Sequence, residues 1–454
     1  MKQIPMKISG YLLPLAVVGG AAFLVVPSST EAYTTIGGNL GISQRDFRVF
    51  NNFTDPEANN NTTPDANFPG AQGVAMALWK ANIEWASRLH GDGNGDPSQP
   101  ANLGSGGANF DPSWQGLATD VGDINSNIVS QISGSSGGVL AYCETPIADG
   151  WRMRFYQDAA TWSDGPNTPT NQYDIQGVAC HEFGHALGLG HSTVGGATMF
   201  ASAANPAVTE RSITADDIAG VQFIYGVAAA TKPIITSVVQ SGCSITINGS
   251  NFAATGNEVW FTRVSPNTTG EPIRVTSLTS TGSQIVVTAP TTAGPGDLLV
   301  KIPGAANSTI SNPWPVNPQS ATAPQSYCSS SPNSVDPFGA IMGWAGSTIR
   351  SNNNFTLTTT SVPPNAACLY YFGPNQAFTA FGNGFRCVGS PVTRFPVMNA
   401  SPFGDASYAL NFNSGAASTI PANSTRNFQL WYRNPAGGGA GFNLSDGLSV
   451  VFCP

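Results

Sequence analysis

His181, His185 and His191 are three of the four histidines in this 454-residue chain, and they share the stretch Cys180 to Ser192, CHEFGHALGLGHS. Residues four apart on a helix lie on one face, so the imidazoles of His181 and His185 would project together. Two neutral ring nitrogens at that separation can grip one Zn2+. Gly188 can take a positive φ, end the helix and let the chain turn back, which would bring His191 round as a third ligand. Three protein ligands leave the fourth position open for water, the arrangement of a catalytic rather than a structural site. Glu182, beside the first ligand, stands where a general base for that water is needed. The competing reading is a buried helix with satisfied core histidines. The full HExxHxxGxxH spacing argues against it, as does the gathering of nearly all the histidines into one register.

The elements that must position these side chains are legible around them. Asp174 to Leu187 is helical by pattern, with Asp174 as the N-cap. Upstream, Val74, Leu78, Ala81, Trp85 and Leu89 recur at helical spacing and predict a helix with one apolar face. Asp46 to Phe53, Gly137 to Cys143 and Trp151 to Tyr156 read as strands. A last helix starts near Thr214, where Thr214 and Asp217 form a capping-box pattern, with Ile218, Val221 and Tyr225 as its apolar face. Residues 33–228 therefore read as one α/β (α+β) domain.

The extended motif resembles that of the metzincin clan of zinc peptidases, and its surroundings look most like a matrixin-type domain. Trp162 and Tyr173-Asp174-Ile175 through Val178-Ala179 resemble the lead-in to the zinc helix. Ala197-Thr198-Met199-Phe200 resembles the Met-turn, Thr214 to Gly226 the closing helix, and Gly137 to Tyr142 the upper-rim strand. The resemblance covers about residues 35–227. It implies a zinc endopeptidase with one catalytic Zn2+ on His181, His185 and His191, Glu182 as general base, and Met199 beneath the metal. It implies protein or peptide substrates extended along the strand near Ala141, with a pocket wall around Phe200 to Pro206. The chain also departs from the family pattern. No cysteine-bearing inhibitory propeptide lies between the expected signal and the domain, so a cysteine-switch zymogen is not expected. Only His90 remains for a second, structural zinc, so none is expected. Ala201 stands where the astacin- and serralysin-like branches carry a tyrosine. Asp158, Asp164, Asn167 and Asp174 lie in a Gly/Asn/Pro-rich stretch that reads first as a solvated loop, with a Ca2+ site as the alternative.

Composition bounds the rest. Charged residues are 10% of the chain against a usual share of about 25%. The net charge of -8, without a basic stripe, argues against a nucleic-acid partner. Lys2 and Lys7, the apolar run Tyr11 to Val26 and the small residue Ala32 read as a signal peptide over residues 1–32, with a membrane anchor as the other reading. After its removal no membrane association is expected, and the product would be secreted and extracellular, at the cell surface as a variant of the same reading. Past Ala230 short alternating runs replace helices, so two all-β sandwiches are expected, at 231–317 and 325–454, joined by a Pro/Ser-containing linker. The first resembles an IPT/TIG domain on Pro233-Ile234-Ile235, Ile245 to Phe252 and Ile285 to Pro290. The second more loosely resembles a tail module of secreted bacterial proteins. Trp344, Trp431 and Tyr432 read first as core, with a carbohydrate-stacking platform as the alternative. Of the seven cysteines, Cys243 is expected to be the free buried one, Cys368–Cys387 and Cys328–Cys453 to be bridges, and Cys180 either packed under its helix or paired with Cys143. The alternative to an active enzyme is a surface-attachment or glycan- or protein-binding protein built on an inactive peptidase scaffold.

Overall fold

The computed structural model describes residues 2–8, 32–44, 46–86, 107–123, 126–145, 151–290, 292–318 and 323–453. The apolar run Tyr11 to Val26, Leu89 and His90 lie outside them. Among the described residues no helix is long and apolar enough to cross a membrane. The chain divides into two compact units, Met1–Val239 with Thr246–Pro318, and Gln240–Ile245 with Gln319–Pro454.

The first unit is built on a seven-stranded sheet. Its strands are β1 (Lys2–Ile8), β2 (Asp46–Val49), β3 (Ser113–Leu117), β4 (Ile128–Ile132), β5 (Val139–Thr145), β6 (Arg152–Tyr156) and, beyond a short pair β7 (Trp162–Ser163) and β8 (Tyr173–Asp174), β9 (Ser202–Ala203). The order is β3-β2-β4-β6-β5-β1-β9. The strands from β3 to β6 pair in parallel, whereas β5 pairs antiparallel with β6 and with β1. Helices α1 (Gly73–Ala86) and α2 (Ile175–Ala186) pack on this sheet, and α3 (Ala215–Tyr225) closes the region. Phe47 of β2 meets Trp151 and, on α2, Phe183 at ring separations of 4.6 Å each, so the sheet and α2 share one aromatic core.

One apolar face was expected of α1, yet it is buried nearly all round, Trp79, Lys80, Asn82 and Glu84 included. Lys80 pairs with Asp65 and Glu84 accepts from Ile213 N, while for Trp79 the physical reason lies past residue 250. Two further sheets, of three strands (β10 Ile234–Ser241, β11 Ser244–Ser250, β14 Gln284–Thr288) and four (β12 Asn257–Arg263, β13 Ile273–Leu278, β15 Ala293–Lys301, β16 Trp314–Val316), follow in the chain. Asp297 of β15 accepts hydrogen bonds from the Trp79 indole at 2.9 Å and from Trp114 N on β3 at 2.6 Å. Thr262 donates to Trp114 O, Asn267 donates to Gln115 O, and Leu117 N donates to Ser265. The exposed edge that β3 would present is thus capped by side chains of the following β-rich region. Burial pushes the Asp297 carboxyl up to about 7, against the pull of its two hydrogen bonds.

The second unit is all β. Its main sheet contains Gln325–Tyr327, Gly447–Phe452, Ser424–Arg433 and Ala367–Gly373, and a three-stranded sheet runs through Ile341–Ala345, Thr356–Thr360 and Ala406–Ala409. The expected strands around Leu369, Phe428 and Leu448 are all present. The disulfide expectations are corrected, while Cys180 is buried and unpaired, in line with the first of its two readings. Cys243 is bonded to Cys453 and Cys328 to Cys387, while Cys143, Cys180 and Cys368 are free and buried. The fold places the bonded pairs 5.4 and 6.0 Å apart at Cα, within bridging range, and no spacing rule reveals which cysteines will be so placed. Tyr432 is fully buried, so the proposed three-aromatic platform is not assembled. Trp344 stacks on Phe355 instead.

Candidate metal centre

Helix α2 begins where Asp174 takes extended backbone and its carboxylate accepts from Gly177 N at 2.7 Å, an N-cap satisfying one of the orphan amides of the first turn. The same carboxylate accepts from Arg211, with Nε at 3.0 Å, and from Thr168 at 2.6 Å. Arg211 and Asp174 are both fully buried, so the start of the helix is fixed by an ion pair that water does not screen. At the other end Gly188 adopts φ +105°, Gly188 N donates to His185 O and Leu189 N to Gly184 O. This is the Schellman stop expected of a glycine at that place, and it turns the chain toward His191.

Gly184, between the first two histidines, is required by packing. A Cβ there would come within 2.1 Å of Met199 Sδ. The Met199 segment therefore lies directly against α2, where the Met-turn resemblance put it. Asp217 of α3 holds that segment by accepting from Thr198 N and Met199 N, each at 3.0 Å. The capping box expected at Thr214 and Asp217 is present.

The three histidines meet. Their ligand-capable nitrogens lie within 4.8 Å of one another, and among the described residues they are the one group of His, Cys, Asp or Glu able to hold a metal ion. His181 Nδ1 lies 2.6 Å from Thr198 O and His185 Nδ1 2.8 Å from Leu189 O. Each carbonyl demands a proton on Nδ1, so the lone pair of the neutral ring falls on Nε2. The Nε2 atoms of His181, His185 and His191 are buried without a hydrogen-bond partner. Burial lowers the His181 pKa to about 3, lowers that of His185 well below the ordinary value and also lowers that of His191. At neutral pH the cluster is thus three uncharged, inward-facing nitrogen donors, a set that fits Zn2+.

Glu182 is fully buried between the first two histidines in sequence. It lies within electrostatic reach of Cys143 on β5, whose thiol is pushed well up by burial first and by the Glu182 charge second.

Support for the third histidine was not foreseen. Thr34 donates to His191 O at 2.8 Å and accepts from Gly190 N at 2.8 Å, while Thr193 N donates to Ala32 O. Ser192 donates to Asp216 at 2.6 Å. Nothing in the sequence marked Thr34, because the contact spans 157 residues. Arg211 was equally invisible, because its partner Asp174 lies 37 residues away in the chain. The acidic residues considered for Ca2+ do not form a ligand group. Asp174 is committed to its cap and to Arg211, and Asp164 accepts from Asn61 N at 2.9 Å.

Comparison with known proteins places this geometry. The matrixin family model matches residues 125–226. Neutrophil collagenase of Homo sapiens is 38% identical over 92 residues, 20% of this chain and 19% of that protein. Metalloendoproteinase 1-MMP of Arabidopsis thaliana is 42% identical over 112 residues, 24% and 29% of the two chains. Matrilysin of Mus musculus is 43% identical over 65 residues, 14% and 24%. The chain thus spans less than a third of the length of each of these relatives. Residues 125–226 are thus similar to the matrixin family, and the described residues past 230 are largely β-strand.

Proposed function

We propose that this chain is a secreted zinc-dependent endopeptidase that hydrolyses peptide bonds of extracellular proteins, with His181, His185 and His191 as zinc ligands and Glu182 as general base. The observation that carries this reading is the convergence of three buried Nε2 atoms whose tautomers are set by backbone carbonyls. When bound, Zn2+ lowers the pKa of an attacking water toward about 7 and polarises the scissile carbonyl.

The chain's own residues do the remainder. Glu182 accepts the proton of the attacking water and passes it to the leaving amine. Its burial keeps bulk water from competing for that proton. The Thr198 and Leu189 carbonyls hold two imidazoles in register, and Asp217 keeps Thr198 in place. An extended substrate would pair with the edge of β5 on which β1 lies, taking the place of β1, through backbone hydrogen bonds that are indifferent to side chains. Selectivity then falls to the pocket beside the metal, walled by residues 200–206. The Phe200-to-Pro206 segment that would form this wall includes β9.

The test is cleavage of a mixed peptide library by the zinc-loaded chain, with a chelator and with Glu182→Ala as controls. Loss of a general base costs about 10²–10⁴ in rate. Turnover should fall by that much in the variant while zinc content stays at one per chain. Near-normal turnover would show that another group is the base. A folded, zinc-loaded chain cutting nothing would favour a binding scaffold.

A further inference from the structure

Two neighbouring side chains of α1 reach the surroundings of the histidines. Trp85, buried, donates its indole N–H to Cys180 O at 3.0 Å, one residue before His181. Its ring also lies against Gly184, where an added Cβ would come within 3.0 Å of Trp85 Cζ2. The turn from Cys180 to Gly184, with His181 inside it and His185 next to it, therefore rests on one indole. Glu84 is fully buried and accepts from Ile213 N at 3.2 Å. The same peptide unit presents Ser212 O, which accepts from the Thr198 hydroxyl at 2.8 Å. Thr198 O in turn meets His181 Nδ1 at 2.6 Å. An unbroken run of hydrogen bonds thus leads from the Glu84 carboxylate to the first imidazole.

We infer that Glu84 and Trp85 are positioning residues for the metal centre, fixing His181 through Thr198 on one side and through the backbone of α2 on the other, while neither touches the metal. For what the histidines bind, this rests on the peptidase reading above. A carboxylate on the N–H of the 212–213 peptide makes its carbonyl a better acceptor, because chained hydrogen bonds polarise one another. The Thr198 hydroxyl is then held harder, and Asp217 holds the same residue by its amide. Together they keep the Thr198 carbonyl on Nδ1, and that carbonyl decides whether Nε2 of His181 presents a lone pair. The helix that does this is itself fixed from another direction. Six residues before Trp85, and about 120° round the helix, the Trp79 indole donates to Asp297 of β15 at 2.9 Å. Lys80 pairs with Asp65 at 3.0 Å. Burying a carboxylate in a helix interior costs desolvation that an apolar side chain would not, so packing alone does not call for glutamate at position 84.

The experiment compares the full chain with Glu84→Ala, Glu84→Gln and Trp85→Phe. Ile285→Ala, at a buried position of β14, is the control for lost stability alone. Two properties are read. Competition against a chromophoric chelator gives zinc affinity. The imidazole nitrogen resonances of the metal-free chain report the tautomers without reference to activity. Glu84→Ala and Trp85→Phe should each weaken zinc binding by about 10–100-fold, and Glu84→Ala should give His181 a mixed-tautomer signal. Glu84→Gln keeps an acceptor oxygen for Ile213 N and should stay within about threefold of the parent. Ile285→Ala should leave both properties unchanged. Trp85→Phe retains an aromatic ring, so it carries the test if Glu84→Ala does not fold. Parent-like zinc affinity in Glu84→Ala and Trp85→Phe would overturn the inference, and so would an equal loss in Ile285→Ala. Glu84→Gln behaving like Glu84→Ala would overturn the acceptor role assigned to Glu84. A parent chain that takes up no zinc, with the His181 tautomer still altered in Glu84→Ala, would uphold the positioning and remove the zinc peptidase reading.

Discussion

The metal centre and the core of the C-terminal unit both bury polar side chains, and they treat them oppositely. Gln429, fully buried in the second unit, accepts from Tyr371 and from Cys387 N and donates to the carbonyls of Phe385 and Ser445. Its amide is fully satisfied by the fold, so it specifies structure and has nothing left to offer a ligand. At His181, His185 and His191 one ring nitrogen of the first two is satisfied by the fold, and the Nε2 of all three is left without a partner. Leaving buried acceptors unmade costs stability, of order 1–3 kcal/mol for each. A fold that tolerates three at one point has a use for them, and a cation is what three converging lone pairs can bind. Burial alone therefore says little about function, and unmet hydrogen-bonding capacity says much.

Removing the metal should separate the two regions most sharply. Zinc at about a thousand times its dissociation constant stabilises the fold that binds it by about 4 kcal/mol. Chelation should lower the calorimetric transition of the first unit and leave that of the second where it was. A common shift of both would show that the two cores melt as one. Next in size is Asp174→Ala, which leaves the fully buried Arg211 guanidinium uncompensated and removes the cap of α2. It should cost about 3–5 kcal/mol in urea unfolding of the first unit. A loss below 1 kcal/mol would mean that the pair is not the clamp described here.

Asp217→Asn is the subtler probe, because it keeps the shape but weakens the hold on Thr198 and Met199. Outer-shell changes of this kind typically cost 10–100-fold in metal affinity, which competition against a chromophoric chelator would measure. Unchanged affinity would show that the His181 carbonyl partner needs no support. The smallest effect expected is a pH dependence at the seam between β3 and β15. Asp297 has its pKa raised by burial to about 7 in the fold, against about 3.9 unfolded. In that window the folded state binds the extra proton, so stability is greatest below about pH 4 and declines as pH rises through 7. Asp297→Asn should flatten that decline in unfolding free energies compared at pH 5 and pH 8. Asp46, also raised to about 7, will leave a residual slope. An unchanged slope would show that Asp297 is ionised at little cost.

What the sequence determined by itself is local. The helix carrying His181 and His185, its Asp174 cap, its Gly188 stop and the Thr214–Asp217 capping box were legible because each is set by residues within one or two turns. The strands of the β-rich half were legible for the same reason, since alternation is a property of adjacent residues. The tertiary structure alone decided what lies across the chain. It brought Thr34 to His191, Arg211 to Asp174 and Asp297 to Trp79, the last across 218 residues. It chose the partners of Cys243 and Cys328 against the expected pairs, and it buried Tyr432 rather than displaying it. Side-chain type and spacing announce what a residue can do chemically. Which distant group it meets depends on packing over the whole fold, and no local pattern encodes that.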